Sequence, residues 1–191
     1  MARKVLYTSE QILERAMLVF WQQGYLGTSM RDLVKATGLN PGSIYHSYGN
    51  KKALFISVTE HYYRKLSSAI NQSINSDQSA DETLRSFFDT ILLQNEHVVA
   101  RGCLLVNTLM EQSNDSDIQS HVSAMFSGFE EMFYWILIKG QKQGVVKPNL
   151  VARQEAQVLV NCYYGLRVQN LTEQPQENLQ GIIQHQLDRL F

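Results

Sequence analysis

Three features predict an all-α chain. Apolar residues recur at helical spacing along nearly the whole sequence, no stretch alternates with period two for long enough to make a strand, and Gly, Pro and Asn fall where helices need to stop and restart. With 44% hydrophobic and 18% charged residues among 191, the chain has the composition of a globular protein and enough length for a real core.

The first helix starts with Thr8 or Ser9 as cap, carries Ile12, Ala16, Val19 and Phe20 on one face, and ends at Gly24. Thr28 or Ser29 caps a second, short helix with Met30, Leu33 and Val34, and Gly38 stands where a left-handed residue would close it. Asn40 followed by Pro41 supplies a capping side chain and then a proline at the first helical position, so residues 41–47 read as a third short helix. Gly49 and Asn50 break it, and a longer helix follows with Leu54, Val58, Tyr62, Leu66 and Ile70 in register. The polar run 75–81 reads as a loop. Five more helices are expected, near 81–98, 103–113, 116–143, 151–172 and 176–190, with Gly144, Pro148 and Pro175 as punctuation.

Several function classes are excluded at this level. The longest apolar runs, such as 132–138, fall far short of the roughly 20 residues that cross a bilayer, and no signal peptide opens the chain, so a cytoplasmic protein that does not engage the membrane is expected. Cys103 and Cys162 are too few for a disulfide framework and lack zinc spacing; both are expected to be thiols. An enzyme would need a nucleophile with a base or a metal cluster, and the five histidines (His46, His61, His97, His121, His185) show no ligand spacing, so neither an enzyme nor a metal or cofactor protein is expected.

Charge is divided unevenly along the chain. Residues 1–65 hold nine Lys or Arg against four acids, and the remainder eight against fourteen, which suggests a polyanion as partner for the N-terminal part only. That part also contains three close-set helices of the kind that form a helix-turn-helix, whose last helix lies in the major groove. In the run 40–48, Asn-Pro-Gly-Ser-Ile-Tyr-His-Ser-Tyr, Ile44 is the one clear inward anchor and the outward groups are small or polar. Gly42 lets the backbone approach closely, Asn40 and Ser43 suit base edges or phosphate, and Tyr45 and His46 reach phosphate or thymine methyls. Lys51 opens the next helix, where its charge and the N-terminal amides together suit a phosphate, and Thr28 or Ser29 is placed to do likewise.

The stretch Gly24-Tyr25-Leu26-Gly27-Thr28-Ser29-Met30-Arg31-Asp32-Leu33, then Ala36-Thr37-Gly38-Leu39, Gly42-Ser43-Ile44-Tyr45-His46-Ser47-Tyr48 and Asn50-Lys51-Lys52-Ala53-Leu54, closely resembles the TetR family of repressors over residues 9–56. The resemblance implies an N-terminal three-helix DNA-binding domain of residues 1–52, with Arg31 and Pro41 among its DNA contacts. It implies a helical signal-sensing and dimerisation domain of residues 53–191, and a homodimer built through the last two helices. The partner would be a (pseudo)palindromic double-stranded operator, with half-sites about one helical turn apart, released when a small molecule binds in the core. The dimer has independent support, since 151–172 presents Ala156, Leu159, Val160, Tyr163, Tyr164, Arg167, Val168 and Leu171, and 176–190 adds Leu179, Ile182, Ile183, Leu187 and Leu190.

For the signal, residues 122–137 form a stripe of aromatics and methionines in which Phe126, Phe129 and Phe133 suit an adaptable pocket, with Met110 and Tyr164 beside it. Asn107, Glu111, Gln157 and Asn161 are polar residues placed to orient a ligand. Cys103 opens a second possibility: at a helix start, next to Arg101, a thiol is biased towards thiolate. The run Gly102-Cys103-Leu104 with Glu111, and Glu155-Ala156-Gln157-Val158-Leu159, resembles the TetR regulators that sense electrophiles through this cysteine. The sequence leaves a hydrophobic or aromatic inducer and a thiol switch at Cys103 both open.

Overall fold

The computed structural model describes residues 7–92, 101–172 and 175–191. Among these the protein is helical throughout, without a strand: α1 (Ser9–Gly27), α2 (Met30–Thr37), α3 (Pro41–Tyr48), α4 (Lys51–Ile74), α5 (Ala80–Leu92), α6 (Leu104–Glu111), α7 (Ser116–Gln143), α8 (Ala152–Gln169) and α9 (Gln176–Asp188). The expected continuation of the fifth helix to residue 98 lies outside the described residues.

Short-range chemistry sets most of the helix starts. Thr8 and Gln11 exchange side-chain and backbone hydrogen bonds in a capping box, and Ser29 and Asp32 do the same for α2. Asn40 Oδ1 accepts from the Ser43 amide at 2.8 Å ahead of Pro41, and Asn50 Oδ1 accepts from the Ala53 amide at 2.8 Å to open α4. Asp115 Oδ1 accepts from the amides of Asp117 and Ile118 and so caps α7. Gly38, in the left-handed region at φ 71°, closes α2.

The first helix departs from its sequence pattern. Its inward face is Leu13, Ala16, Met17, Phe20 and Trp21, with Ile12 and Val19 at the margin, because burying Met17 and Trp21 removes more apolar surface from water than burying the two β-branched residues. Gly24 does break the helix, at φ 74° and ψ 171°, a region open essentially only to glycine, but a further helical turn follows to Gly27.

The chain forms two compact units. One comprises Met1–Lys65 with Asn107–Val122. Here α1 packs on α2 and α2 on α3, over a core in which Phe20 meets Phe55 at 4.9 Å between ring centres and Trp21 meets Tyr62 edge-on at 5.1 Å. This unit is larger than the expected head of residues 1–52, since α4 carries it on to residue 65 and the distant segment 107–122 folds into it.

The second unit comprises Leu66–Val106 and Ser123–Phe191, in which α9 packs on α5 and α8, and α5 on α8. Its centre is aromatic: Phe87 lies 5.3 Å from Phe133 and 5.1 Å from Tyr163, with Phe129 5.8 Å from Tyr163. The apolar residues of α8 are divided. Ala156, Leu159, Tyr163 and Leu166 face this core together with the buried Arg167, while Val158 and Val168 stay exposed. No helix among the described residues is long and apolar enough to cross a membrane.

Candidate nucleic-acid interface

The third helix has one buried side chain, Ile44, which is fully enclosed. Pro41, Gly42, Tyr45, His46 and Ser47 are exposed, and Ser43 is half-buried. A single fully buried aliphatic anchor beneath a mostly exposed face is poor packing for a core helix and good geometry for one pressed into a groove. Its neighbour α2 buries Leu33 and Thr37 and exposes Arg31 and Lys35. At the C-terminal end of α2, Arg15 lies 4.0 Å over the Tyr7 ring and donates to the Ala36 carbonyl at 3.3 Å, while a Cβ on Gly38 would sit 3.3 Å from that same ring. The turn between α2 and α3 is therefore braced by residues from before and within α1.

Most of the residues expected at the DNA lie on this surface, but their tasks differ. Ser29 and Asn40 are exposed and also cap α2 and α3, so each has an oxygen committed to its helix. Gly42 has a local reason to be glycine, because a Cβ there would lie 3.3 Å from the capping oxygen of Asn40. Thr28 corrects the expectation. It is 2% exposed, and its hydroxyl donates to the Gly24 carbonyl at 2.6 Å, closing the break in α1 instead of facing a phosphate.

Lys51 and Lys52 stand in the first turn of α4, where the helix dipole disfavours cations. Lys51 is half-buried with its ammonium 4.4 Å over the Tyr25 ring; burial pushes its pKa down and the Glu111 carboxylate partly offsets this. Lys52, which the sequence did not single out, donates to Asp115 at 2.8 Å and to Asp117 at 2.7 Å, and these bonds hold its pKa above the ordinary value.

The residues expected to line a ligand site fall in both compact units. Asn107, Met110 and Glu111 belong to the first compact unit, and the aromatic candidates to the second. Asn107 and Met110 are exposed, Met110 to 79%, because α6 buries Leu104, Leu105 and Thr108 on its opposite side. Glu111 is taken up by structure: its two carboxylate oxygens accept the Tyr25 and Leu26 amides at 2.8 and 2.7 Å. Asn161 and Gln157 are exposed; Asn161 donates to the Gln157 carbonyl, and Gln157 lies 3.4 Å from Glu130. Phe129 and Phe133 are fully buried, Phe126 and Tyr164 are half-buried against each other at 4.3 Å, and Cys103 is buried at 2% exposure. The contacts of Lys52 with Asp115 and Asp117 are not foreshadowed by the sequence pattern. The only local signal was an acid placed to cap α7.

Residues 12–58 match the family model of the bacterial regulatory proteins, tetR family. The HTH-type transcriptional repressor ComR of Escherichia coli (strain K12) is 28% identical over 163 residues, covering 84% of this chain and 77% of ComR. The HTH-type transcriptional repressor NemR of the same organism is 23% identical over 181 residues, covering 93% of this chain and 91% of NemR. Among solved structures, a cysteine mutant of the TetR family transcriptional regulator CifR, complexed with 26-base-pair double-strand operator DNA, superposes with a TM-score of 0.81 at 25% identity. The match covers 97% of this chain and 98% of that one.

Proposed function

We propose that this chain, placed in the TetR family of bacterial regulatory proteins by residues 12–58 and similar to transcriptional repressors along most of its length, binds a (pseudo)palindromic operator as a homodimer and is released by a small hydrophobic or aromatic ligand. The carrying observation is the exposed polar face of α3 on its single anchor, Ile44, with Arg31 and Tyr45 open to solvent beside it. The operator DNA bound by the similar regulator CifR supports the same partner here. Exposed Val158 and Val168 on α8, Ile182 on α9 and Leu171 between the two helices support a second copy there, since exposed apolar groups favour association. The pair Phe126–Tyr164, half-buried at the edge of an aromatic core, supports an aromatic ligand in the second unit.

A second reading is favoured by the surroundings of Cys103. This buried thiol immediately precedes α6, and the equally buried Arg167 donates to the carbonyl of the residue before it, Gly102. The geometry that supports this reading is a guanidinium fixed beside a thiol at a helix start. In this reading an electrophile acts at Cys103 in place of a reversibly bound inducer.

The test is selection of duplexes from a random-sequence library by the full-length protein, followed by anisotropy titration of the enriched duplex and a scrambled one at about physiological salt. A preference on the order of a thousandfold or more is expected. Equal, weak binding to both would overturn the repressor reading.

A further inference from the structure

We infer that Glu111, Asp115 and Asp117, on the stretch from the last residue of α6 to the first turn of α7, form a clamp that positions α2 and α3 for DNA by gripping the chain just before α2 and just after α3. The inference rests on the repressor reading above and names the residues that set the pose of its reading helices.

The first grip is at the break in α1. At Gly24 the helical hydrogen-bond ladder is interrupted, so Tyr25 and Leu26 open a new turn whose amides need acceptors, as at any helix N-terminus. Glu111 supplies both, one oxygen to each amide at 2.8 and 2.7 Å, from 86 and 85 residues further along the chain. A carboxylate spanning two backbone N–H groups is a charge-assisted, geometrically exacting contact. The fit is close, since a Cβ at Gly24 would lie 2.8 Å from both oxygens.

The second grip is at the start of α4. Lys52 bonds Asp115 at 2.8 Å and Asp117 at 2.7 Å, and Asp115 is itself immobilised as the cap of α7, accepting from the Asp117 and Ile118 amides at 3.2 and 3.1 Å. The two grips are joined through Tyr25, whose amide is held by Glu111 and whose ring lies under Lys51, the neighbour of Lys52.

Between the grips, α2 and α3 bury only Leu33, Thr37 and Ile44. So small an apolar contact leaves the pose of the pair to be set by polar holds, the Tyr7–Arg15 brace at the turn between them and the two grips at their ends. Both ends are held by one seven-residue stretch, so a displacement of that stretch moves them together. Glu111, Asp115 and Asp117 are thus positioning residues for DNA recognition, touching no base themselves.

The experiment compares wild type with Glu111→Gln, Glu111→Ala and Lys52→Met, using the duplex selected by the wild-type protein and a scrambled control. Amide hydrogen exchange at Tyr25 and Leu26 is followed on the protein alone. Glu111→Gln, which keeps an acceptor and is the variant safest for folding, is expected to lose about tenfold in specific affinity, equivalent to about 1.4 kcal/mol. Glu111→Ala loses more, and the scrambled duplex is bound within about twofold of wild type by both. Exchange at Tyr25 and Leu26 accelerates in both, and Glu111→Ala with Lys52→Met together fall short of the product of the single effects, as expected of groups acting as one unit. Unchanged specific affinity in Glu111→Gln and Lys52→Met overturns the clamp, and so does a parallel loss on both duplexes, which would mark general unfolding. If the wild type enriches no sequence, the repressor reading itself falls, and with it the clamp's role in recognition; accelerated exchange would then mark Glu111 as a structural cap only.

Discussion

Nε2 of His61 on α4 lies 2.9 Å from the carboxylate of Glu14 on α1, with Lys65 on the same carboxylate at 2.8 Å. Burial pushes the Glu14 carboxyl up, but the hydrogen bonds from Lys65 and His61 outweigh it and hold the pKa below the ordinary 4.5. A carboxylate depressed in the folded state contributes stability that is present above its unfolded pKa and lost as pH falls through the folded value. Asp115, held down by Lys52, acts in the same direction. The unit containing α1–α3 is therefore expected to lose stability as pH drops below about 4.5, and Glu14→Gln to lose part of that dependence. Urea midpoints followed by circular dichroism between about pH 6 and pH 3 would show it; identical slopes in wild type and variant would refute it.

What sequence reasoning reached, and what it missed, follows from the range of the interactions involved. Thr8, Ser29, Asn40 with Pro41, and Gly38 act over three or four residues, and the structure uses each as the local pattern implies. Ile44 was legible as an anchor because it is the lone aliphatic in a polar run. Lys52 with Asp115 spans 63 residues and Glu111 with Tyr25 spans 86, and nothing in the spacing of either partner announces the other. Thr28 was misplaced for a related reason: a cap-like residue before a helix is also the residue after the Gly24 break, and its hydroxyl serves the break. Asn107 and Met110 face outward, and α6 is too short for its pattern to show which side Leu104, Leu105 and Thr108 claim.

Replacing Ile44 by alanine removes the only side chain by which α3 enters the core. Burial is complete, so about 2–5 kcal/mol of stability is expected to be lost, with specific DNA binding lost in parallel. Denaturant unfolding together with anisotropy on the selected duplex checks both; a variant that unfolds like wild type would show that α3 is held from elsewhere.

Tyr45 and Arg31 are expected to separate readout from grip. If Tyr45, 50% exposed on the polar face of α3, reads a thymine methyl, Tyr45→Ala should cost about 1–3 kcal/mol on the selected duplex and relax preference at one base position. If Arg31, exposed in the first turn of α2, holds a phosphate, Arg31→Met should weaken selected and scrambled duplexes alike and reduce the salt slope by about one. The reverse pattern would exchange the two roles.

Gly24→Ala combines two penalties. The backbone at φ 74° and ψ 171° costs a non-glycine residue about 1–3 kcal/mol, and the added methyl meets the Glu111 oxygens. Only the second depends on Glu111. In a Glu111→Ala background the cost of Gly24→Ala should therefore shrink towards the backbone part alone, a coupling that a double-mutant cycle of thermal or denaturant stabilities measures. Strict additivity would mean that the carboxylate moves aside at no cost.

The two readings of the signal divide at Cys103. If the thiol is the sensor, Cys103→Ser should bind the selected duplex as wild type does, because serine fills nearly the same buried volume before α6. Treatment with N-ethylmaleimide should release wild type from DNA and leave the variant bound. Cys162 provides an internal control: it is half-buried on α8 and burial pushes its thiol pKa up, so its thiolate is scarce at neutral pH and Cys162→Ser should respond as wild type does. Release that survives in Cys103→Ser would remove the thiol reading and leave a reversibly bound ligand at the aromatic core as the signal. Release lost in that variant alone would put the switch at the start of α6, next to the carbonyl held by Arg167.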